Sequence, residues 1–172
     1  MTGGKVPLVG SHESDVSTNL VSGLFLKYFS NPVLSCRNDA ALLHISGNVC
    51  LATNSYIMRP PEFPGGTVGS LAVYGGANNV AMLGARPEYL SCAFVIEEGF
   101  ELELLRRVAA SMAEAAADAE VGIVVGDTRV APKGGARGLL PHTPFIAPGL
   151  STQPPYAVRA VPAAARLGSG GL

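Results

Sequence analysis

The most informative segment of the chain is ATNSYIMRPPEFPGGTVGSLAVYGGANNVAMLGARPEYLSCAFVIEEG, residues 52–99. It begins within a short apolar run over residues 49–53 that is typical of a strand. The prolines and the PGG sequence at residues 60–66 then predict a rigid loop. Small residues over 67–83 predict a helix, and the apolar run over 88–96 predicts a second strand. The segment therefore predicts a strand, a loop, a helix and a strand in that order.

The flanking sequence extends this pattern on both sides. An apolar face at helical spacing predicts a helix over residues 16–29, with Ser14 or Asp15 as its N-cap. The other predicted elements are strands over residues 40–45 and 49–53 joined by a tight turn at Gly47-Asn48, a helix over 102–116, and a strand over 121–125 that ends at Gly126-Asp127-Thr128. The sequence therefore predicts an α+β (α/β) fold with helices packed on one face of a sheet.

The composition excludes several classes of protein. The formal net charge is −1 and hydrophobic residues make up 48% of the chain, so it can form a core and has no basic field that attracts nucleic acid. No apolar run reaches the roughly 18 residues that span a bilayer, and residues 1–10 lack a signal-peptide pattern. Cys36, Cys50 and Cys92 form no CxxC pair, which argues against a zinc site or a disulfide framework. We therefore expect a soluble, cytoplasmic protein with no nucleic-acid or membrane partner.

The last quarter of the chain differs from the rest in charge and in backbone chemistry. Residues 131–172 contain 4 basic residues and no acidic ones, together with 7 of the 13 prolines and 7 of the 21 glycines. Proline lacks a backbone donor, and glycine raises the entropic cost of ordering. We therefore predict one domain over residues 1–135 and an irregular tail over residues 136–172. A packed loop region that lacks its partner domain is the alternative.

Oxygen-bearing side chains lie near the ends of several predicted elements. Asp39 precedes a predicted strand, Thr53-Asn54-Ser55 follows one, Asn78-Asn79 lies in the small-residue helix, and Asp127 follows the last strand. Because Mg²⁺ prefers carboxylate and phosphate oxygens, Asp39 and Asp127 are candidate metal ligands. Caps or turn residues are the alternative for both.

Two glycines precede the small-residue helix. Gly65 and Gly66 lie just before its first turn, where free backbone amides can hold a phosphate. A turn followed by a helix start is the alternative, and it is the commoner role of such glycines.

Taken together, these motifs resemble those of one enzyme family. The stretches that carry the resemblance are NPVL at residues 31–34, NDAALL at 38–43, the segment 52–99 quoted above, and VGDTRV at 125–130. Residues 19–130 are accordingly similar to the N-terminal domain of the HypE family of hydrogenase maturation proteins, in the PurM-like (AIR synthetase) superfamily. The resemblance implies a PurM-like fold with a mixed β-sheet and helices packed on one face.

The resemblance also implies cofactors and partners. ATP and Mg²⁺ are expected, with the metal on Asp39 and Asp127. The residues expected to contact the nucleotide are Asp39, Asn54, Gly65, Gly66, Asn78, Asn79, Asp127, Thr128 and Arg129. A homodimer paired through the N-terminal sheets is expected, with the carbamoyltransferase HypF and the HypC–HypD complex as partners.

In full-length members of the family the implied reaction is an ATP-dependent dehydration. A carbamoyl group on a C-terminal cysteine becomes a thiocyanate, which supplies the cyanide ligands of NiFe-hydrogenase. ATP phosphorylates the carbamoyl oxygen and so turns it into a good leaving group.

Three residues depart from the family pattern. Asn54 and Asn79 stand where the family has Asp, and Arg129 stands where it has Lys. Because hard cations are held largely by ligand charge, the loss of two carboxylates predicts weaker metal binding. Arginine keeps the charge of lysine but not its compact geometry.

After residue 130 the sequence follows the family pattern only through Lys133-Gly134-Gly135. The simplest hypothesis is that the reading frame was lost near residue 135, which sequencing the other frames of the locus would test. None of the three cysteines lies in a flexible terminal position, so we expect this chain alone to be inactive. A non-catalytic dimerisation domain and a degraded gene product that aggregates through a sheet edge are the alternatives.

Overall fold

The computed structural model describes residues 4–6, 20–36, 40–133 and 139–148. The strands are β1 (Val49–Ser55), β2 (Glu62–Phe63), β3 (Gly66–Thr67), β4 (Tyr89–Glu97), β5 (Gly122–Ala131) and β6 (Leu139–Pro148). The helices are α1 (Leu26–Phe29), preceded by a π-helical turn over Val21–Phe25, then α2 (Val68–Ala81) and α3 (Leu102–Asp118), with a short 3-10 turn at Leu34–Cys36. The predictions for Ser14, Asp15, Asp39 and residues 149–172 lie outside the described residues.

Four of the strands form one mixed sheet in the order β1-β6-β4-β5. Strand β6 runs antiparallel to both β1 and β4, whereas β4 and β5 are parallel. The parallel pair is connected through α3, as a crossover requires. Strands β2 and β3 form a separate pair in front of α2. The α+β fold class with a mixed sheet, expected from the sequence, is confirmed.

The alternation of side chains along β4 explains why the helices collect on one face of the sheet. Every second side chain is buried, while the intervening ones are half-buried on the other face. The ring of Phe94 stacks on Phe25 with centroids 4.5 Å apart, and Cys92 contacts Met112 of α3. Burial of apolar surface contributes about 25 cal/mol per Å². The buried side chains of β4 therefore supply much of the hydrophobic stabilisation of the sheet.

Helices α2 and α3 pack closely because α2 contains small residues. A Cβ atom on Gly69 would lie 2.5 Å from the carbonyl oxygen of Val108 and 3.1 Å from the Cβ atom of Met112. Only a residue without a side chain permits this approach. No helix among the described residues combines the length and the apolar character needed to cross a membrane.

Two predictions near the N-terminal side of the sheet are wrong. Residues 40–45 form no strand, and no hairpin forms at Gly47-Asn48, although Gly47 has a φ of +82°. Strand β1 pairs instead with β6, which lies far along the chain. Residues 40–45 therefore have no strand to pair with. Of the helix predicted over residues 16–29, the described part is the π-helical turn and the four residues of α1.

The irregular conformation predicted for residues 136–172 is wrong for ten of them. Leu139–Pro148 form β6, which lies inside the sheet between β1 and β4. Proline lacks a ladder donor and is usually confined to sheet edges. The pairing with β4 is accordingly interrupted between Leu90 and Ala93, opposite Pro144. The predicted boundary at residue 135 therefore does not coincide with the end of the sheet.

The position predicted for Gly126-Asp127-Thr128 is also corrected. These residues lie in the middle of β5, which continues to Ala131, and not at the end of a strand. Gly126 lies beside Cys92 of β4, and a Cβ atom on it would meet the Cys92 carbonyl oxygen at 2.6 Å. A side chain at position 126 would therefore clash with the backbone of β4, which explains the glycine.

Candidate functional site

A cavity of about 370 Å³ opens on the face of the sheet that the helices leave uncovered. One wall is the irregular segment over residues 40–43, and the other is formed by β4 and β5. The lining residues are Ala40, Ala41, Leu43, Tyr89, Ser91, Ala93, Val124, Val125, Gly126 and Asp127. The volume lies at the lower end of the range of small-molecule clefts. Mostly apolar walls with a few polar groups are typical of such clefts.

Asp127 is the charged residue in this cavity wall. Its side chain accepts a hydrogen bond from the backbone amide of Thr128 at 2.8 Å and pairs with Arg129 at 3.2 Å. Asp127 and Arg129 are both largely exposed, whereas Thr128 is buried on the opposite face. The pair therefore offers one acceptor and one donor to a ligand from the same strand.

Asn54 and Asn79 form a second polar cluster between β1 and α2. The Nδ2 of Asn79 donates to the Oδ1 of Asn54 at 3.0 Å. The Nδ2 of Asn54 is buried and has no hydrogen-bond partner within the described part of the chain. Asn78, the neighbour of Asn79, is exposed on the same helix. This cluster therefore keeps one unused hydrogen-bond donor. Leaving a buried amide without a partner is energetically costly.

The two clusters are on opposite faces of the sheet. Asn54 faces α2 from β1, whereas Asp127 lines the cavity on the uncovered face from β5. Strands β1 and β5 are the two edges of the four-stranded sheet, about 14 Å apart at ordinary strand spacing. Within one chain the structure thus brings Asn54 and Asn79 together but does not bring Asp127 to them. The role predicted for each residue in nucleotide binding stays a prediction.

The amides near Gly65 and Gly66 are not free. Thr67 caps α2 by accepting hydrogen bonds from the amides of Gly69 and Ser70. The amide of Val68 donates to the Pro61 carbonyl, and that of Thr67 donates to the Ser70 hydroxyl. These four amides are therefore already bonded within the chain, and the contact of Gly65 and Gly66 with a nucleotide stays a prediction. The alternative, a turn followed by a helix start, is what the structure has.

The described residues do not form a magnesium site. Among them no group of three or more His, Cys, Asp or Glu side chains converges. The carboxylate of Asp127 is paired with Arg129, and Asn54 is bonded to Asn79. Because Mg²⁺ needs several oxygen ligands with negative charge, these groups do not fit it. Asp39, the other predicted ligand, lies outside the described residues.

Two of the cysteines, Cys50 and Cys92, are buried side chains. They are not paired with each other. Burial raises the pKa of the Cys92 thiol far above its ordinary value. Because the thiolate is the reactive form, Cys92 is not suited to carry a transferred group. Burial also restricts the access of a reactant to Cys50.

Sequence reasoning missed the cavity wall formed by residues 40–43 and by β4. The apolar pattern of residues 40–45 predicts a strand, which would place them in the sheet. The sequence pattern predicts Tyr89, Ser91 and Ala93 only as parts of a strand, although these half-buried side chains alternate with buried ones. Because successive side chains of a strand lie on opposite faces, this alternation indicates that one face of β4 is accessible to a ligand.

The fold and the motifs place the chain in a known class. It matches the model of the family described as AIR synthase related protein, N-terminal domain, over residues 37–143. The chain therefore belongs to the AIR synthase-related family, and the match extends past the predicted boundary at residue 135.

Several similar proteins are hydrogenase maturation factors, and the HypE resemblance is confirmed. The carbamoyl dehydratase HypE of Bradyrhizobium diazoefficiens is 46% identical over 125 residues, which cover 72% of this chain and 36% of that protein. The crystal structure of hydrogenase maturation protein HypE in complex with ATP has 46% identity and a TM-score of 0.80, covering 85% of this chain and 44% of that one. A HypE–HypF complex structure has 44% identity and a TM-score of 0.57, covering 74% and 41%. The chain thus spans less than half the length of these relatives.

Proposed function

We propose that this chain supplies the nucleotide-binding half of a HypE-type carbamoyl dehydratase. The observation that carries the proposal is the cavity between residues 40–43 and strands β4 and β5, with Asp127 in its wall. Two sequence motifs, NDAALL and VGDTRV, contribute residues to opposite walls of it. The HypE structure that contains ATP supports a nucleotide as the ligand.

The wall residues are chemically suited to a nucleoside. Ala41, Leu43 and Val124 offer an apolar surface for a base, while Ser91 and Asp127 offer polar atoms for sugar hydroxyls. Arg129 partly neutralises Asp127, which lowers repulsion between that carboxylate and a phosphate. When bound, ATP would supply the phosphoryl group that turns a carbamoyl oxygen into a leaving group in the full-length enzyme.

The proposed reaction needs parts that the described residues do not supply. The dehydration requires a cysteine that carries the carbamoyl group, and Cys50 and Cys92 are buried. We expect the 172-residue chain alone to form no thiocyanate from carbamoyl phosphate and ATP in the presence of HypF. Turnover in that assay would contradict the proposal of a nucleotide-binding half. HypF is the proposed carbamoyl donor, and the HypC–HypD complex the proposed acceptor of the cyanide.

A cavity-filling substitution tests the nucleotide site. Ala93 lies on the cavity floor in β4, so Ala93→Phe would occupy the space that a base needs. We expect at least tenfold weaker binding of a fluorescent ATP analogue, measured by titration with the full chain. Binding by the Ala93→Phe variant at the original affinity would place the nucleotide elsewhere.

The matched control is Val95→Phe. Val95 lies two residues further along the same face of the same strand and does not line the cavity. Val95→Phe places the same side chain on the uncovered face, although it adds less volume than Ala93→Phe, and so it reports the general effect of a phenylalanine there. We expect its affinity to stay within about twofold of the original chain.

A second proposed function is dimerisation through the uncovered face of the sheet. The observation that favours it is the exposure of apolar side chains on β1, where Val49 is 49% and Leu51 is 65% exposed. Exposed apolar patches of this kind mark interaction surfaces. We expect a dimer in light scattering at micromolar concentration and a shift towards monomer in Leu51→Lys. A strict monomer in the original chain would contradict this function, and large aggregates would favour the degraded gene product.

A further inference from the structure

Asn31 forms four hydrogen bonds through one side chain. Its Nδ2 donates to the carbonyl oxygens of Phe29 at 3.1 Å and Ile123 at 2.6 Å. Its Oδ1 accepts from the amides of Val33 and Leu34, each at 3.0 Å. A carboxamide has two donor hydrogens and an oxygen with two lone pairs, so the full capacity of this side chain is used.

The bond to Ile123 connects Asn31 to one wall of the cavity. Ile123 belongs to β5, an edge strand of the sheet. The next four residues of β5, residues 124–127, all line the cavity. Asn31 therefore fixes the chain to β5 immediately before the wall begins.

The other wall follows Asn31 along the chain. The 3-10 turn Leu34–Cys36 packs against β5, and Leu34 packs on the core. The wall begins at Ala40, four residues after the turn, so the connection cannot exceed about 14 Å. Asn31 thus bonds to β5 next to one wall and to the turn that precedes the other, although it does not line the cavity itself.

We propose that Asn31 is a positioning residue that sets the spacing between the two walls of the cavity and, through it, the affinity for the nucleotide. The inference rests on the proposed nucleotide site. The most direct test is Asn31→Asp, which keeps the size and the acceptor oxygen of the side chain. It removes both donated hydrogen bonds and places a carboxylate against the carbonyls of Phe29 and Ile123.

The position of the first wall is measured without any nucleotide. Spin labels at Leu42→Cys, on the exposed part of the segment, and Glu114→Cys, on α3, report its distance from the body of the domain. Both substitutions are made in a Cys36→Ala background, since Cys50 and Cys92 are buried. We expect a single narrow distance distribution with Asn31 and a clearly broader one with Asn31→Asp.

The affinity is measured in the same full chain with the fluorescent ATP analogue. We expect Asn31→Asp to weaken binding at least tenfold. The control is Val73→Ala, which truncates a fully buried side chain of α2 away from the cavity. It lowers stability, and we expect it to change neither the distance distribution nor the affinity.

The outcomes separate this inference from the proposed function. An unchanged distance distribution in Asn31→Asp overturns the inference, whatever the nucleotide does. A broader distance distribution with unchanged affinity overturns the proposed effect of Asn31 on nucleotide binding. A broader distribution in a chain that binds no nucleotide supports the wall-positioning role and rejects the proposed nucleotide site.

Discussion

The side-chain amide of Asn79 donates to the Oδ1 of Asn54 at 3.0 Å and so ties helix α2 to strand β1. Two carboxylates at the same positions would repel each other and would need a cation between them. Two amides need none. In this chain the contact therefore joins two neutral side chains.

The double substitution Asn54→Asp and Asn79→Asp should make stability depend on Mg²⁺. At pH 7 without metal, repulsion between two charges at this separation costs about 1 to 4 kcal/mol. We expect a lower urea midpoint in a chelator and recovery on addition of millimolar Mg²⁺. The control is Asn48→Asp, at an exposed position just before β1, which should respond to neither. If the double variant were as stable in the chelator as the original chain, the proposed repulsion would be wrong.

Gly69→Ala should destabilise the domain. The new Cβ atom would lie 2.5 Å from the backbone oxygen of Val108, so α2 and α3 must separate. Overpacking of this kind costs about 1 to 3 kcal/mol, more than the roughly 1 kcal/mol that alanine gains over glycine in a helix. The measurement is the free energy of unfolding in urea.

The matched control for this substitution is Gly23→Ala. A Cβ atom on Gly23 meets nothing within 4 Å, so only the backbone effect remains. We expect this variant to be as stable as the original chain or slightly more so. Equal effects of the two substitutions would show that helix contact does not set the cost.

The pair of Glu62 and Arg107 should make a pH-dependent contribution to stability. Hydrogen bonds from the Arg107 guanidinium, at 2.6 and 3.1 Å, hold the pKa of the Glu62 carboxyl below its ordinary value. A carboxyl whose pKa is lowered by folding stabilises the fold above its unfolded pKa and loses that effect as the pH falls through its folded pKa. We expect Arg107→Gln to lower the urea midpoint slightly at pH 7 and by less at pH 3, where more of the Glu62 carboxyl is protonated.

An NMR titration of the Glu62 carboxyl checks the cause directly. In Arg107→Gln its pKa should return towards the ordinary value, whereas Arg86→Gln, which breaks the exposed pair with Glu120, should leave it unchanged. A midpoint difference of equal size at both pH values would rule out this pair as the origin.

Cys92 should be unreactive in the folded chain. Its thiol is buried, which raises its pKa and removes access. Peptide mapping after treatment with a thiol reagent should find Cys50 and Cys92 unmodified in the native chain. Both should be modified in urea. Rapid native labelling of Cys92 would mean that the β4–α3 contact opens readily.

Much of the fold could be predicted because its signals are local. The strand predicted over residues 88–96 and the helices predicted over 67–83 and 102–116 agree with β4, α2 and α3 within a few residues. Each has a hydrophobic period and, for α2, a cap at Thr67 that is visible in the sequence. The family resemblance added the mixed sheet.

The parts that failed depend on distant partners. Residues 40–45 look like a strand, but no neighbouring strand accepts them, and they form a cavity wall instead. Leu139–Pro148 contain three prolines and look irregular, but strands on both sides stabilise them. Nothing in the local pattern reports such pairing.

The candidate site was predicted only in part for a related reason. The motifs correctly associate Asn54 with Asn79. They do not reveal that Asp127 faces the other side of the sheet, because that depends on the register of β5 against β4. A shift of one residue would reverse the face.

The placement of β6 has a consequence for biosynthesis. This strand is the last in the described sequence, and yet it joins β1 to the β4–β5 pair. A nascent chain that has emerged only as far as β5 holds β1 without a hydrogen-bonded neighbour, with Leu51 and Val49 at risk of pairing with another polypeptide. The sheet closes in a late, long-range step, so the growing chain is most vulnerable to misassembly on the ribosome just before that strand appears.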